Sequence, residues 1–188
     1  MVSLHYISKY DAAQRGTGIF PGRGRTTWRD WYTHAVVNAN VGTNTTLEAP
    51  LSHINVHIRD GSAILLHSQP GYTITETQAS PYTLLISLST DGYASGNAYF
   101  DDGETIPPTP NRTAEFHVKS GSLRISSVGT FHVGPKLENV TVLGAQKPSK
   151  GVTANGKAVK QWKYTQQKEL LISELEVDLN SDVTIEWE

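Results

Sequence analysis

The sequence predicts an all-β protein: two antiparallel β-sandwich domains with little or no helix. Three observations carry this. Strand-like runs of four to eight residues recur along the chain. Turn signals built from Gly, Pro, Asn and Asp separate them. No segment keeps an amphipathic helical period for three turns.

In chain order, "GTGIFPGRGR" (16–25) is a Gly/Pro-dense turn leading into "TTWRDWYT" (26–33). Alternation there puts Trp28, Asp30 and Tyr32 on one face and Arg29, Trp31 and Thr33 on the other. In "HINVHI" (53–58) the polar residues His53, Asn55 and His57 alternate with Ile54, Val56 and Ile58, which are expected to point inward. Further strands are expected at 63–68, 82–89, 97–100, 114–119, 122–128, 139–144, 169–173 and 183–187. "KGVTANGKAVKQW" reads as a hairpin about Asn155-Gly156, a dipeptide suited to a two-residue turn with positive φ at both positions. The nearest approach to a helix is 166–179, where Leu171, Leu175 and Leu179 repeat every four. Leu175, Val177 and Leu179 also alternate with Glu174, Glu176 and Asp178, and strand is favoured. "ETQASP" (76–81) interrupts two apolar runs and marks a domain boundary.

Composition narrows the function classes. The 188 residues are 37 % hydrophobic and 18 % charged, which suits a globular protein rather than a disordered one. A net charge of -2 favours neither a nucleic-acid backbone nor an anionic membrane. No apolar run approaches the roughly 18 residues of a membrane span. The absence of cysteine removes thiol catalysis, disulfides and Cys-ligated zinc. Three N-x-S/T sequons, at Asn44, Asn111 and Asn139, are candidate N-glycosylation sites and lean towards a secreted ancestry. Residues 1–14 nevertheless lack the basic and apolar regions of a signal peptide, so localisation is left open.

Several motifs invite a chemical reading. His53 and His57 have the i, i+4 spacing of a helical zinc pair. On a strand, a rise of about 3.3 Å per residue sets them about 13 Å apart, too far for one metal ion. "DDGE" (101–104) is expected to be a solvated turn, with a weak calcium site as the alternative; adjacent carboxylates in a turn do not flank a glycosidic bond. The glycines of 16–25 fit neither nucleotide-binding fingerprint, and no G-x-S-x-G elbow occurs. Tyr72, Tyr82, Tyr93, Trp162 and Tyr164 are candidates for a sugar-stacking platform, against core or edge packing. No metal and no cofactor are expected.

Longer stretches carry a family resemblance. "IFPGRGRTTWRDWYTHAVV", "LEAPLSHINVHIRDGSAILLHSQPGYTITET" and "SPYTLLISLSTDGYASGNAYFDDGET" follow one another in the order seen in the C-terminal part of glycoside hydrolase family 31. The nearest likeness is to secreted fungal α-glucosidases. Matching positions include Trp28, Asp30, Trp31, Tyr32, Ala49, Pro50, His53 and Arg59, then Gly92, Gly96, Tyr99, Asp101, Asp102 and Glu104. The tail "LENVTVLG…ANGKAV…W" is also similar to the family's last domain. The likeness runs from about Thr17 to Glu188. It implies a non-matching segment 1–16, a proximal sandwich at 17–79 and a distal sandwich at 80–188. One departure is Asp60 where the family commonly has Gly, which puts the turn at Asp60-Gly61 in question.

The resemblance implies a non-catalytic module. The family's active site lies on a (β/α)8 barrel, and no position here matches its catalytic carboxylates. Expected partners are such a barrel or a second copy of the chain. Two alternatives follow for a free-standing domain. One is an α-glucan-binding module working through exposed aromatics. The other is a recruited small-molecule enzyme using a cleft between the sandwiches, with His34, His53, His57 and Asp60 as acid/base groups.

Overall fold

The computed structural model describes residues 2–4, 14–22, 24–39, 41–107 and 109–187. The chain divides into two compact units, residues 1–60 and 61–188. Among the described residues the only helix is α1 (Ile74–Ala79), and the rest of the regular structure is strand.

The described residues of the first unit form five strands: β1 (Val2–Leu4), β2 (Arg15–Gly18), β3 (Trp28–Asp30), β4 (Thr45–Glu48) and β5 (Val56–Arg59). They form an antiparallel three-stranded sheet in the order β1-β5-β3 and a β2–β4 ribbon. The core is small: Phe20, Trp28 and Ala39, with Val37 and Leu47 packed against them. Trp28 Nε1 donates to Pro21 O at 3.0 Å, so the buried indole keeps a partner.

Two expectations for this unit need correction. The 26–33 run ends as a strand at Asp30, because the Asp30 carboxylate captures the backbone N–H groups of Tyr32 and Thr33 in a turn. In the 53–58 run, β5 begins only at Val56. Ile58 is buried as expected, but Ile54 is 65 % exposed and His57 only 2 % exposed, against the expected faces. His57 is buried by the edge of Phe20, their ring centroids 4.9 Å apart. The Asp60 question is also answered. Of the turn residues Asp60 and Gly61, only Gly61 takes positive φ (71°), so Asp60 stands without strain.

The second unit contains α1 and β6 (Ser62–His67), β7 (Tyr82–Ser87), β8 (Tyr93–Phe100), β9 (Arg112–Lys119), β10 (Ser122–Gly129) and β11 (Leu137–Leu143). After these come β12 (Val152–Ala154), β13 (Lys157–Ala158), β14 (Trp162–Tyr164), β15 (Glu169–Ile172) and β16 (Val183–Trp187). All eleven strands form one sheet, ordered β13-β12-β16-β10-β9-β8-β6-β7-β11-β15-β14. Laid flat at about 4.8 Å per strand it would be roughly 48 Å wide. Yet Phe116 of β9, Ile185 of β16, Leu84 of β7 and Ile172 of β15 share one buried cluster. The sheet therefore curls upon itself into two layers around that core, as a sandwich does.

The expected antiparallel pairing holds for most neighbours, but β7–β11 and β6–β8 are parallel. The β6–β8 seam is thin, with one register pair, Ser62↔Ser95. A side chain at Gly96 would place its Cβ 1.9 Å from the Ala63 carbonyl oxygen, so this approach of two backbones requires glycine. The hairpin at Asn155-Gly156 forms with positive φ at both residues (49° and 75°). Segment 166–179 contains no helix: a turn at 166–168 leads into β15, and a stretch with positive φ at Glu174 and Glu176 then bridges Leu137 at Val177.

The units part at Asp60–Gly61, whereas the sequence set the division at 79/80. The reason is β6, which lies before 79 but pairs with β7 from Ser62↔Ser87 to His67↔Tyr82. Helix α1 follows it, closed by a capping box in which Glu76 N donates to Thr73 Oγ1 (3.2 Å) and Thr73 N to Glu76 Oε2 (3.2 Å).

Candidate functional site

Strand β3 and strand β5 place Asp30 directly opposite His57. Both line a pocket of about 530 Å³ within the first unit, together with Glu48, His53 and Asn55. Asp30 is fixed by its turn: Oδ1 accepts from Tyr32 N (3.0 Å), Thr33 N (2.7 Å) and Thr33 Oγ1 (2.8 Å). Burial pushes its carboxyl up, but the Thr33 and Tyr32 hydrogen bonds and the nearby His57 outweigh this and leave it below the ordinary carboxylate value. Glu48 Oε1 pairs with Arg15 at 3.0 Å, and Asn55 Nδ2 donates to Glu48 O at 2.8 Å. The His53 ring rests 5.0 Å from Tyr32, whose hydroxyl donates to Ile54 O at 3.1 Å.

Of the four acid/base residues singled out in the sequence, the pocket brings together His53 and His57 and leaves out His34 and Asp60. Asp60 is 9 % exposed and serves the backbone: Oδ2 accepts from Thr27 N at 2.7 Å, and its own N–H donates to Thr27 O. His34 lies in the turn after β3 with φ 59°, and its carbonyl accepts from Arg29 Nη1 at 3.2 Å. The pocket also recruits Asp30 and Glu48, which sequence reasoning passed over. The signal for Asp30 was present in "DWYT": an Asp followed three residues later by Thr is a turn former. Among the described residues no group of three or more His, Asp or Glu is placed to hold a metal ion.

The remaining candidates are dispersed. Asp101 and Asp102 close the 101–105 turn on themselves: Asp101 Oδ1 accepts from Gly103 N, Asp102 Oδ1 from Glu104 N and Thr105 N, and Asp102 Oδ2 from the Thr105 hydroxyl. These bonds, the Thr105 hydroxyl first, hold the Asp102 carboxyl low. Tyr82 is buried beside His67 and Phe100, whereas Tyr72 is fully exposed just before α1. Tyr164 donates to Ala145 O at 2.8 Å, and Trp162 packs on the core. Asn44 and Asn111 are exposed at the starts of β4 and β9. Asn139 is half-buried within β11, its Nδ2 donating to Thr83 Oγ1 at 3.4 Å.

An all-β chain of two units, the second a curled eleven-stranded sheet, belongs to the class of β-sandwich modules. Its relatives are specific. It is 46 % identical over 143 residues to an α-glucosidase of Aspergillus niger, a match covering 76 % of this chain and 14 % of that protein. It is 39 % identical over 160 residues to an α-glucosidase of Schizosaccharomyces pombe, covering 85 % of this chain and 16 % of the relative. A family 31 glucosidase of the same yeast, itself uncharacterised, is 34 % identical over 90 % of this chain and 17 % of its own length. No family model matches the chain. In fold it resembles a crystallised glucosidase II α subunit, with a TM-score of 0.81 at 20 % identity over 98 % of this chain and 22 % of that one. The chain belongs to glycoside hydrolase family 31, and it spans about a sixth of the length of the curated relatives it matches.

Proposed function

We propose that the chain is a non-catalytic β-sandwich module that supports the catalytic domain of a family 31 α-glucosidase. The observation that carries this is the asymmetry of the matches: three quarters or more of this chain aligns with about one sixth of each α-glucosidase. Surface chemistry supports it. Leu51 (97 % exposed), Ile54 (65 %) and Tyr32 (55 %) lie in the first unit, with Tyr32 bonded to Ile54, and give it an apolar face suited to a protein neighbour. On this reading the catalytic carboxylates belong to the partner domain and the chain contributes folding support.

Co-expression tests it. The Aspergillus niger α-glucosidase is truncated to remove its matching 143-residue segment, and this chain is supplied in trans with an affinity tag. The expected result is co-purification with restored α-glucosidase activity, weakened by Leu51→Asp with Ile54→Asp. A chain that purifies alone, beside a truncated enzyme that stays inactive, overturns the proposal.

A further inference from the structure

We propose that the first-unit pocket is a binding site for an uncharged, hydroxyl-rich ligand of the size of a mono- or disaccharide. This goes beyond the supporting role and does not depend on it. The wall presents acceptor oxygens that the fold leaves unused. Asp30 uses Oδ1 for its turn, and among the described residues Oδ2 accepts no further hydrogen bond. Glu48 commits Oε1 to Arg15 and Asn55 commits Nδ2 to Glu48 O, which leaves Oε2 of the first and Oδ1 of the second for a ligand. The His53 ring leans on Tyr32 at an interplanar angle of 51° and adds imidazole nitrogens at the same rim. A ligand complementary to such a wall must bring donors, and hydroxyls bring them without charge.

Charge decides against an organic cation. Each carboxylate already has a cationic or cation-forming group beside it, Arg15 at Glu48 and His57 opposite Asp30. The field left for an ammonium group is correspondingly reduced. Among the described residues the lining contains no Lys or Arg, which disfavours an anion. Val36, Leu47 and Pro50 supply an apolar wall for the C–H face of a sugar ring, and a few convergent polar groups beside such a wall are the usual makeup of a small-molecule site. Two features pre-organise it: Asp30 is locked by three hydrogen bonds, and His57 is held on its strand against Phe20.

The test is an amide-resolved NMR titration of the whole chain with maltose, with sorbitol and with ethylammonium chloride. The expected result is saturable shifts with maltose confined to the pocket, at Thr45, Thr46 and Asn55 above all, with millimolar affinity. Thr46→Trp, which fills the mouth and touches no turn bond, should abolish them while leaving the rest of the spectrum in place. Asn55→Ala, should Thr46→Trp misfold, removes the Oδ1 acceptor and should weaken maltose by several-fold while leaving the second unit unchanged. Three results overturn the proposal: no saturable shift with either polyol, shifts that persist in Thr46→Trp, or ethylammonium binding as tightly as maltose.

Discussion

Asp30 and His57 face each other across β3 and β5, and the Asp30 carboxylate also closes the turn that ends β3. One residue therefore sets where the strand stops and what stands opposite the buried imidazole. Replacing it separates the two roles. Asp30→Asn keeps an acceptor for Thr33 and Tyr32, so its cost should be small. Asp30→Ala removes the acceptor and should destabilise the first unit by about 1–2 kcal/mol. Urea unfolding followed by Trp28 fluorescence, compared across the three proteins, measures the difference.

Acid should loosen the second unit within a defined window. Asp178 is held at about 2 against an ordinary 3.8, first by the backbone N–H of Asn180 and then by the Lys136 ammonium, with burial opposing both. A lowered folded-state value means that the stabilisation is present above the unfolded value and is lost as pH falls through the folded one. The melting temperature should thus decline between about pH 4 and pH 2, and Asp178→Asn should flatten that part of the profile. A variant that declines as steeply as the parent would refute the assignment.

Arg112 should prove costly to replace. It is 9 % exposed, and its guanidinium donates to Phe131 O (2.7 Å), Ser127 Oγ (3.1 Å) and Asn180 O (3.1 Å). Arg112→Leu leaves buried acceptors unpaired and should cost about 2–4 kcal/mol. Arg112→Lys should recover only part of it, because an ammonium lacks the planar fork that reaches separated oxygens. Chemical denaturation of the three proteins reads both numbers.

Hydrogen exchange should separate the two units. The buried cluster of the first contains three residues, Phe20, Trp28 and Ala39, whereas that of the second runs through β7, β9, β10, β11, β15 and β16. Amides of β3 and β5 should exchange faster than those of β7 and β11. Trp28→Ala should abolish protection in the first unit and spare the second.

The sequons should differ in use. Expressed through a yeast secretory pathway, the chain is expected to carry glycans at Asn44 and Asn111, both exposed at strand starts. Asn139 sits inside β11, between β7 and β15, and should be occupied least. Glycopeptide mass spectrometry reads the three occupancies.

What the sequence made legible was local. Asn155-Gly156 announced its hairpin, and runs such as "YTLLIS" and "AEFHVK" became β7 and β9 because alternation and β-branching are short-range properties. Helix α1 escaped because six residues are too few to display a period, although Thr73-x-x-Glu76 spelled out its cap. The faces of β5 escaped for another reason. Alternation says that His57 and Ile58 point apart, but whether Phe20 covers His57 depends on a residue thirty-seven positions earlier. Parallel pairing of β7 with β11 and of β6 with β8 likewise rests on tertiary crossings that no window contains. The pocket was half legible: its two histidines stood out by type, and its two carboxylates only by position.

The seam at Gly96 has a bearing on how the second unit could be cut or inherited. On one side of it lie β8, β9, β10, β16, β12 and β13; on the other, β6, β7, β11, β15 and β14. The chain passes from side to side at β7–β8, β10–β11, β11–β12, β13–β14 and β15–β16, five crossings over a junction with a single register pair. A weld so narrow has the look of a join between two separable shells, but the thread sews them together. No single protease nick and no single truncation releases one shell whole, because the strands of each shell are not contiguous in the chain.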